Sequence, residues 1–141
     1  MDITIKIEDM TLNIRVAAIL KTSKGYLFEK SKNGYLFPVG GRVKLWESSE
    51  EAIKREIKEE IGMEISKMKL VSLIENFFLV GEEKIQELCF VYEAEEEFAG
   101  AASSEFIEIR LEDIDKNDIR PSSIIEILKS EKGSFKHFII K

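Results

Sequence analysis

A capped amphipathic helix is the feature of this sequence that most narrows its fold. Ser48 and Glu51 have the spacing of a capping box, and Gly62 suits the left-handed position just past a helix C-terminus. Between these signals lies an apolar stripe made of Ala52, Ile53, Ile57 and Ile61. Because such a stripe packs on a sheet while the opposite face meets solvent, we expect an α/β arrangement.

Three carboxylates crowd one face of this helix. Glu56, Glu59 and Glu60 stand at i, i+3 and i+4, a spacing that places them side by side. Like charges at this spacing destabilise a helix by about 0.2–0.5 kcal/mol per pair unless a cation lies among them. Sets of oxygen ligands suit Mg²⁺ or Mn²⁺ rather than Zn²⁺. The spacing therefore predicts a divalent metal site on this face.

A hydrophobic strand ends in a glycine pair just before the helix. The segment Phe37-Pro38-Val39-Gly40-Gly41 ends in two residues that allow a ligand to approach the backbone closely. A strand, a glycine turn and a metal-binding helix together predict a pyrophosphate-binding site.

The segment from Gly41 to Met63 resembles the signature of the Nudix hydrolases. It matches the pattern Gly-x5-Glu-x7-Arg-Glu-U-x-Glu-Glu-x-Gly-U at every fixed position, where U is a bulky aliphatic residue. Such a match arises by accident about once in a million sequences of this length. The resemblance implies an α/β fold, the Nudix-type α/β/α sandwich, with a mixed β-sheet between helices.

The resemblance also implies a role for each residue of the candidate catalytic set. Glu56, Glu59 and Glu60 would bind the metal, and one of them, or a loop glutamate, would act as the base. Arg55 would orient the neighbouring carboxylates. The remaining positions are Gly41, whose carbonyl is a further candidate metal ligand, and the structural positions Gly40, Glu47 and Gly62.

The activity implied is metal-dependent hydrolysis of a diphosphate linkage in a nucleoside diphosphate linked to a group X. Nucleotide sugars, ADP-ribose, dinucleotides and noncanonical nucleoside triphosphates all fit this description. A non-catalytic Nudix-fold sensor that binds a nucleotide is the alternative. Retention of all three glutamates favours catalysis, because a pure binder has no need to concentrate repelling charge. A prenyl diphosphate isomerase has less support, since no Cys-centred group of side chains is recognisable.

Several of these residues also have purely structural explanations. Lys54 and Lys58 could balance the acids through ordinary i, i+4 pairs on a solvated helix face. Gly40 and Gly41 could simply form a turn, and Gly62 could simply cap the helix.

The loop before the helix departs from the common family pattern Gly-Gly-x-x-Glu-x-Gly-Glu. Lys44 stands where the inner glutamate is usual, and Trp46 stands where the inner glycine is usual. A tryptophan does not adopt a positive φ without cost, so we expect a different loop geometry. Our hypothesis is that Lys44 meets a substrate phosphate and that Trp46 stacks on a base. Trp46 as a hydrophobic plug beside a solvated Lys44 is an equally good explanation.

Many Nudix enzymes carry a further acidic residue in a later loop. The candidates here are Glu95, Glu96, Glu97 and Glu105. We favour Glu105 as a substrate-site residue because it directly precedes a predicted strand.

Composition limits the remaining possibilities. The 141 residues are enough for one domain, which we expect to span residues 1–141. A net charge of −6 argues against a nucleic-acid polymer as partner. The single Cys89 excludes an internal disulfide and is expected to be a reduced core thiol, and the single His137 excludes a multi-histidine zinc site. Without a signal peptide or membrane-length apolar run, we expect a cytoplasmic protein with no membrane partner. The Nudix resemblance makes a homodimer a reasonable expectation.

Alternating and continuous apolar runs predict the remaining elements. Ile3–Ile7 is predicted as an edge strand and Arg15–Leu20 as a buried strand with Tyr26–Lys30 as its hairpin partner. The other predicted elements are a strand at Tyr35–Val39, a hairpin of Lys69–Phe78 and Ile85–Ala94, a small-residue loop at Ala99–Ser104, a strand at Phe106–Leu111, a helix at Ser122–Ser130, and a tail at Phe135–Ile140 that forms a strand or docks a partner.

Overall fold

The computed structural model describes residues 1–100 and 103–141, so Ala101 and Ala102 of the predicted small-residue loop lie outside the described residues. In chain order the elements are β1 (Thr4–Ile7), β2 (Met10–Ile19), β3 (Tyr26–Lys30), β4 (Leu36–Phe37), β5 (Gly40–Arg42), α1 (Ser49–Ile61), β6 (Met68–Val80), β7 (Glu83–Ala94), β8 (Phe106–Ile109), a 3-10 helix (Leu111–Lys116), α2 (Ser123–Lys129) and β9 (Lys136–Ile140).

The larger of two sheets is mixed and lies between the two α-helices. Its strand order is β1-β2-β7-β6-β9, with β5 also pairing with β2. The β2/β7 and β6/β9 pairs are parallel, and the other pairs are antiparallel. This arrangement confirms the predicted α/β fold with a mixed sheet.

Strand β2 explains why the sheet is covered on both faces. Its even-numbered residues Val16 and Ala18 belong to the core beneath α1, whereas Ala17 and Ile19 belong to the core beneath α2. Because successive side chains of a strand point to opposite faces, a strand buried on both sides needs a continuous apolar run. The sequence from Val16 to Leu20 provides that run.

The predicted hairpin between Arg15–Leu20 and Tyr26–Lys30 is wrong. Strand β3 pairs with β4 and β8 in a separate three-stranded sheet. Its links to the end of β2 across the turn are an isolated bridge between Lys21 and Tyr26 and a hydrogen bond from the Leu27 N–H to the Leu20 carbonyl. The side of β2 where such a partner would pair is taken by β1 and β5. The pairing of β3 with the distant strand β8 is therefore favoured over a hairpin with its sequence neighbour β2.

The other elements follow the sequence closely, with shifted ends. The predicted hairpin is present as β6 and β7 with a shorter turn at Gly81-Glu82, and the tail forms strand β9 beside β6. The strand predicted to end at Leu111 ends at Ile109, because Leu111 begins the 3-10 helix.

Among the described residues, no helix is both long enough and apolar enough to cross a membrane. The expectation that residues 1–141 form one domain stays a prediction.

Candidate active site

The caps and the buried stripe of α1 fix the direction of its acidic face. Ser48 Oγ accepts a hydrogen bond from the Glu51 N–H at 3.1 Å, and Glu51 Oε2 accepts one from the Ser48 N–H at 2.8 Å, which confirms the capping box. Gly62 ends the helix at φ +70° with its N–H bonded to the Lys58 carbonyl. Ala52, Ile53 and Ile57 are fully buried against the sheet, so the rotation of the helix is set.

Arg55 connects the loop before α1 to two of the three predicted metal ligands. Its Nε and Nη2 donate to the Glu47 carboxylate at 2.7 and 2.9 Å, and Nη2 also donates to the Arg42 carbonyl at 3.1 Å. Its Nη1 donates to Glu56 Oε1 at 2.8 Å and to Glu59 Oε2 at 3.4 Å. This is the geometry expected of a residue that orients neighbouring carboxylates.

The pair of Arg55 and Glu47 is strong enough to change the protonation behaviour of both groups. The hydrogen bonds from Arg55 lower the pKa of the Glu47 carboxyl to about 2, with a further hydrogen bond from the Lys44 N–H at 3.0 Å. The same hydrogen bonds raise the pKa of the Arg55 guanidinium above its ordinary value. Glu47 therefore stays ionised and holds the loop to α1.

Glu60 is the one predicted ligand that Arg55 does not contact. Its Oε2 is buried and has no hydrogen-bond partner among the described residues. Burial, followed by the charges of Glu29 and Glu56, raises the pKa of Glu60 to about 7, although the Gly40 N–H favours the ionised form. When Glu60 is ionised, its negative charge is therefore not balanced by any cationic side chain of the described residues.

The glycine pair permits close packing between β5 and α1. A Cβ at Gly41 would lie 2.4 Å from Cδ and Oε1 of Glu56, and a Cβ at Gly40 would lie 2.1 Å from the Val16 carbonyl oxygen. Neither distance is possible for a larger residue without movement of the carboxylate or of β2. The pair therefore does more than form a turn, since it lets the Glu56 carboxylate lie against the backbone.

Glu29 belongs to the acidic cluster and was missed in the sequence. It lies on β3 opposite Phe106, next to Glu105 at the start of β8. Burial, followed by the charges of Glu105 and Glu56, raises the pKa of Glu29. In the sequence, Glu29 is recognisable only as a carboxylate that directly follows the apolar run Tyr26–Phe28. Its position beside α1 results from the three-stranded sheet, which the sequence did not predict.

Glu96, one of the other late acidic residues, makes its side-chain hydrogen bonds away from the acidic cluster. The carboxylate of Glu96 accepts hydrogen bonds from the N–H and Oγ of Ser66, at 3.2 and 2.7 Å. Of the late-loop candidates, only Glu105 is placed by its charge beside the acidic cluster. Its role as a substrate-site residue stays a prediction.

The lysines of α1 do not neutralise the cluster. Lys54 pairs with Glu50 at 3.1 Å, and Lys58 pairs with Glu64 at 2.9 Å. The explanation of the three acids as i, i+4 partners of Lys54 and Lys58 is therefore wrong, and Glu59 instead has Arg55 as its i, i+4 partner.

The donor set fits a hard divalent cation. In the described part of the chain no three His, Cys, Asp or Glu side chains already form a metal cage, and Glu56 and Glu59 are hydrogen-bonded to Arg55. The partnerless Glu60 oxygen and the close approach of Glu56 to Gly41 nevertheless leave carboxylate oxygens together without enough positive charge. Oxygen ligands of this kind are those that Mg²⁺ and similar ions prefer.

The loop residues Lys44 and Trp46 lie at the surface of the site. Trp46 takes the costly positive φ, at +68°, and its side chain is fully exposed, so the ring is not a hydrophobic plug. The expected difference in loop geometry from the family pattern stays a prediction. Lys44 forms an isolated bridge with Asp2. The substrate contacts predicted for both residues stay predictions.

A pocket of about 760 Å³ opens beside the glycine pair, on the face of the larger sheet opposite α1. Gly40 lines it, and the Gly40 N–H also faces Glu60, so the pocket adjoins the acidic cluster. Its floor includes Ile74 and Cys89. Burial raises the pKa of the Cys89 thiol to about 12, so the thiol stays protonated at neutral pH.

The mixed sheet and the carboxylate-bearing helix α1 together define a Nudix-type fold. A sequence model described as "NUDIX domain" matches residues 12–128. The chain therefore belongs to the Nudix family, whose members generally use divalent metal ions and act on small nucleotide derivatives. None of the curated protein sequences compared with the chain matches it.

Solved structures with this fold include several Nudix proteins. A MutT protein from Bacillus halodurans has a TM-score of 0.71 and 19% identity, covering 89% of this chain and 86% of that chain. An ADP-ribose pyrophosphatase from Streptococcus suis has a TM-score of 0.60 and 12% identity, covering 90% and 98%. The C. elegans Ap4A hydrolase has a TM-score of 0.61 and 16% identity, covering 84% and 94%.

Proposed function

We propose that this protein hydrolyses the diphosphate linkage of a nucleoside diphosphate linked to X, in a reaction that depends on Mg²⁺ or Mn²⁺. The observation that carries the proposal is the uncompensated Glu60 carboxylate beside Glu56 and Glu29, next to a pocket that shares Gly40 with it. In the reaction, water attacks one phosphorus, the bridging P–O bond breaks, and the products are a nucleoside monophosphate and phosphorylated X.

Glu56, Glu59, Glu60 and the Gly41 carbonyl are the groups that would hold the metal. When bound, a divalent ion neutralises diphosphate charge and lowers the pKa of bound water. Arg55 restrains Glu56 and Glu59 through its Nη1, while its paired bonds to Glu47 fix the guanidinium itself. Restraint of this kind matters because charged groups stabilise a transition state best when they are already in place.

The remaining site residues have proposed roles on the substrate side. Lys44 and Trp46 lie on the loop that leads into α1, where a phosphate and a base could meet them. Glu105 directly precedes Phe106, which pairs with Glu29, and its carbonyl accepts a hydrogen bond from the Lys30 N–H at 2.8 Å. The proposal takes the protein to act in the cytoplasm on a small molecule, and a homodimer stays a prediction.

The test is hydrolysis of nucleoside triphosphates, ADP-ribose, nucleotide sugars and dinucleoside polyphosphates, measured with Mg²⁺, with Mn²⁺ and with a chelator. We expect a nucleoside monophosphate from at least one substrate, only with metal, and a loss of about 10²–10³-fold or more in kcat for Glu59→Gln. Glu64→Gln is the matched control, because Glu64 pairs with Lys58 outside the cluster. Binding of a substrate without turnover in the presence of either metal would favour the nucleotide sensor instead.

A further inference from the structure

The pocket beside the acidic cluster is suited to an uncharged group. Its charged lining residues are Arg15, Arg120, Glu87 and Asp118, two of each sign. Arg120 donates to both oxygens of Asp118, at 3.2 and 3.0 Å, and Arg15 lies 3.9 Å from Glu87. Because each cation already faces a carboxylate, the lining offers no excess of positive charge to attract a phosphate. The pocket therefore fits the neutral part of a nucleotide, while the phosphates remain for the acidic cluster and its metal.

Aromatic side chains line the pocket without distinguishing one base from another. Phe37 and Phe78 contribute to its lining, and the Arg120 guanidinium lies 4.5 Å above the Tyr35 ring at the rim. Stacking on aromatic and guanidinium planes tolerates any base, because every base has a π face. Discrimination between bases must therefore come from polar groups on the floor.

Glu87 is the carboxylate on that floor. Its Oε2 accepts a hydrogen bond from Asn13 Nδ2 at 3.2 Å and is the oxygen that Arg15 approaches. Its Oε1 accepts no hydrogen bond from the described residues, and the side chain is only 17% exposed. A carboxylate oxygen in such a setting gains from a ligand that brings N–H donors. Asn76 lies opposite Glu87 across β6 and β7 and lines the same floor.

Among the common bases, guanine alone places two donors side by side on its pairing edge, at N1–H and the 2-amino group. Adenine and cytosine place an acceptor next to their single amino group, and uracil flanks its one N–H with two acceptors. An ionised carboxylate only accepts hydrogen bonds, so it binds the two adjacent donors of guanine and repels the acceptors of the other bases. We propose that Glu87 is a specificity-determining residue that selects a guanine base in this pocket.

This inference rests on the proposed function only in taking the ligand to be a nucleotide. It is tested with the full chain by calorimetric titration of GMP, IMP and AMP, with and without Mg²⁺. Two hydrogen bonds to a carboxylate predict that GMP binds about 10- to 100-fold more tightly than AMP. IMP lacks the 2-amino group but keeps N1–H, so its affinity should lie between those of GMP and AMP.

Substitution of Glu87 should change the preference rather than simply weaken binding. Glu87→Gln replaces one hydrogen-bond acceptor by a donor, which suits the adjacent acceptor and donor of adenine. The affinity for GMP divided by the affinity for AMP should therefore fall about 10-fold or more. Glu83→Gln is the matched control, because Glu83 lies on the same strand, bonds to Thr11 and does not line the pocket. Phe78→Ala should weaken GMP and AMP binding equally.

Equal affinity of the parent protein for GMP and AMP would overturn the inference, and this measurement needs no variant that could misfold. An unchanged GMP/AMP ratio in folded Glu87→Gln would also overturn it. The proposed function fails in a different way. If the protein prefers GMP but shows no metal-dependent hydrolysis, the guanine inference stands and the proposed hydrolase function is wrong. If it hydrolyses substrates without preferring guanine, the hydrolase function stands and the guanine inference is wrong.

Discussion

Glu60 shows how a single side chain can cost stability in the metal-free protein. Its raised folded pKa, about 7, means that the folded state resists loss of the proton. The protonated group contributes fully to the free energy of unfolding below its unfolded pKa of about 4.5, and this contribution is lost as the pH rises through about 7. The folded protein without metal should therefore lose stability between pH 5 and pH 8.

Glu60→Gln should remove this loss. In the absence of metal we expect the variant to gain about 1–3 kcal/mol in free energy of unfolding at pH 8 relative to the parent, and much less at pH 5. Urea unfolding at both pH values, with a chelator present, measures the difference. Glu59→Gln is the control, because the Glu59 side chain is 56% exposed and should change stability little. A variant no more stable than the parent at pH 8 would contradict the burial of an unbalanced charge.

Trp46 is a second residue whose conformation is unfavourable. Its φ of +68° costs about 1–2 kcal/mol for a side chain with a Cβ, and its exposed ring recovers nothing by packing. Trp46→Gly should therefore raise the free energy of unfolding by about 0.5–1 kcal/mol, measured by urea unfolding. Trp46→Ala keeps the Cβ and should give no gain. Equal stabilisation by both substitutions would show that the ring, not the backbone, carries the cost.

At the scale of elements, the ion pair of Arg55 and Glu47 joins the loop between β5 and α1 to the helix. Arg55 reaches from the second turn of α1 to Glu47 and to the Arg42 carbonyl, so a single guanidinium joins strand, loop and helix. The Glu47 side chain is 15% exposed and the Arg55 side chain 20% exposed, which limits screening by solvent. Loss of the Glu47 charge would remove the paired hydrogen bonds that fix the guanidinium and leave Arg55 with Glu56 and Glu59 as its carboxylate partners.

Glu47→Gln should cost about 2–3 kcal/mol of unfolding free energy at pH 7. The folded pKa of Glu47 is lowered to about 2. Its contribution to the free energy of unfolding is therefore full above about pH 4.5 and is lost as the pH falls through about 2. The difference between parent and variant should thus shrink in urea unfolding series from pH 7 to pH 3. Glu50→Gln, which removes an exposed pair with Lys54, should cost less than about 0.5 kcal/mol. A pH-independent difference would contradict the depressed pKa.

At the scale of the whole molecule, the acidic cluster draws on both sheets. Glu29 comes from β3 of the smaller sheet, and Glu60 lies on α1, which packs on the larger sheet. The charge of Glu29 is the largest contribution after burial to the raised pKa of Glu60. The site is thus assembled from elements about 30 residues apart in sequence.

A double-mutant cycle should detect this coupling. In metal-free protein at pH 8, Glu29→Gln and Glu60→Gln should each stabilise, and the double variant should gain about 0.5–1 kcal/mol less than the sum. Unfolding by urea measures all four proteins. The control cycle pairs Glu60→Gln with Glu50→Gln, which should be additive. Additivity in the first cycle would mean that the two carboxylates do not interact.

Local patterns were sufficient for α1 and its chemistry. Capping box, apolar stripe and acid spacing all act within a few residues of each other, so the sequence predicted the helix, its end at Gly62 and the shared face of Glu56, Glu59 and Glu60. The fixed spacing of the signature predicted the family for the same reason. The β6/β7 hairpin was predictable because its strands are neighbours in sequence.

Features that depend on distant contacts were decided by the tertiary structure. The transfer of β3 to the second sheet depends on β8, about 80 residues later, and that pairing brings Glu29 and Glu105 to the acidic cluster. The place of Glu87 on a pocket floor depends on the register of β2, β7 and β6. The sequence determined the helix and its acids because turn and helix energies are local, whereas the partners of those acids required the sheets to pack.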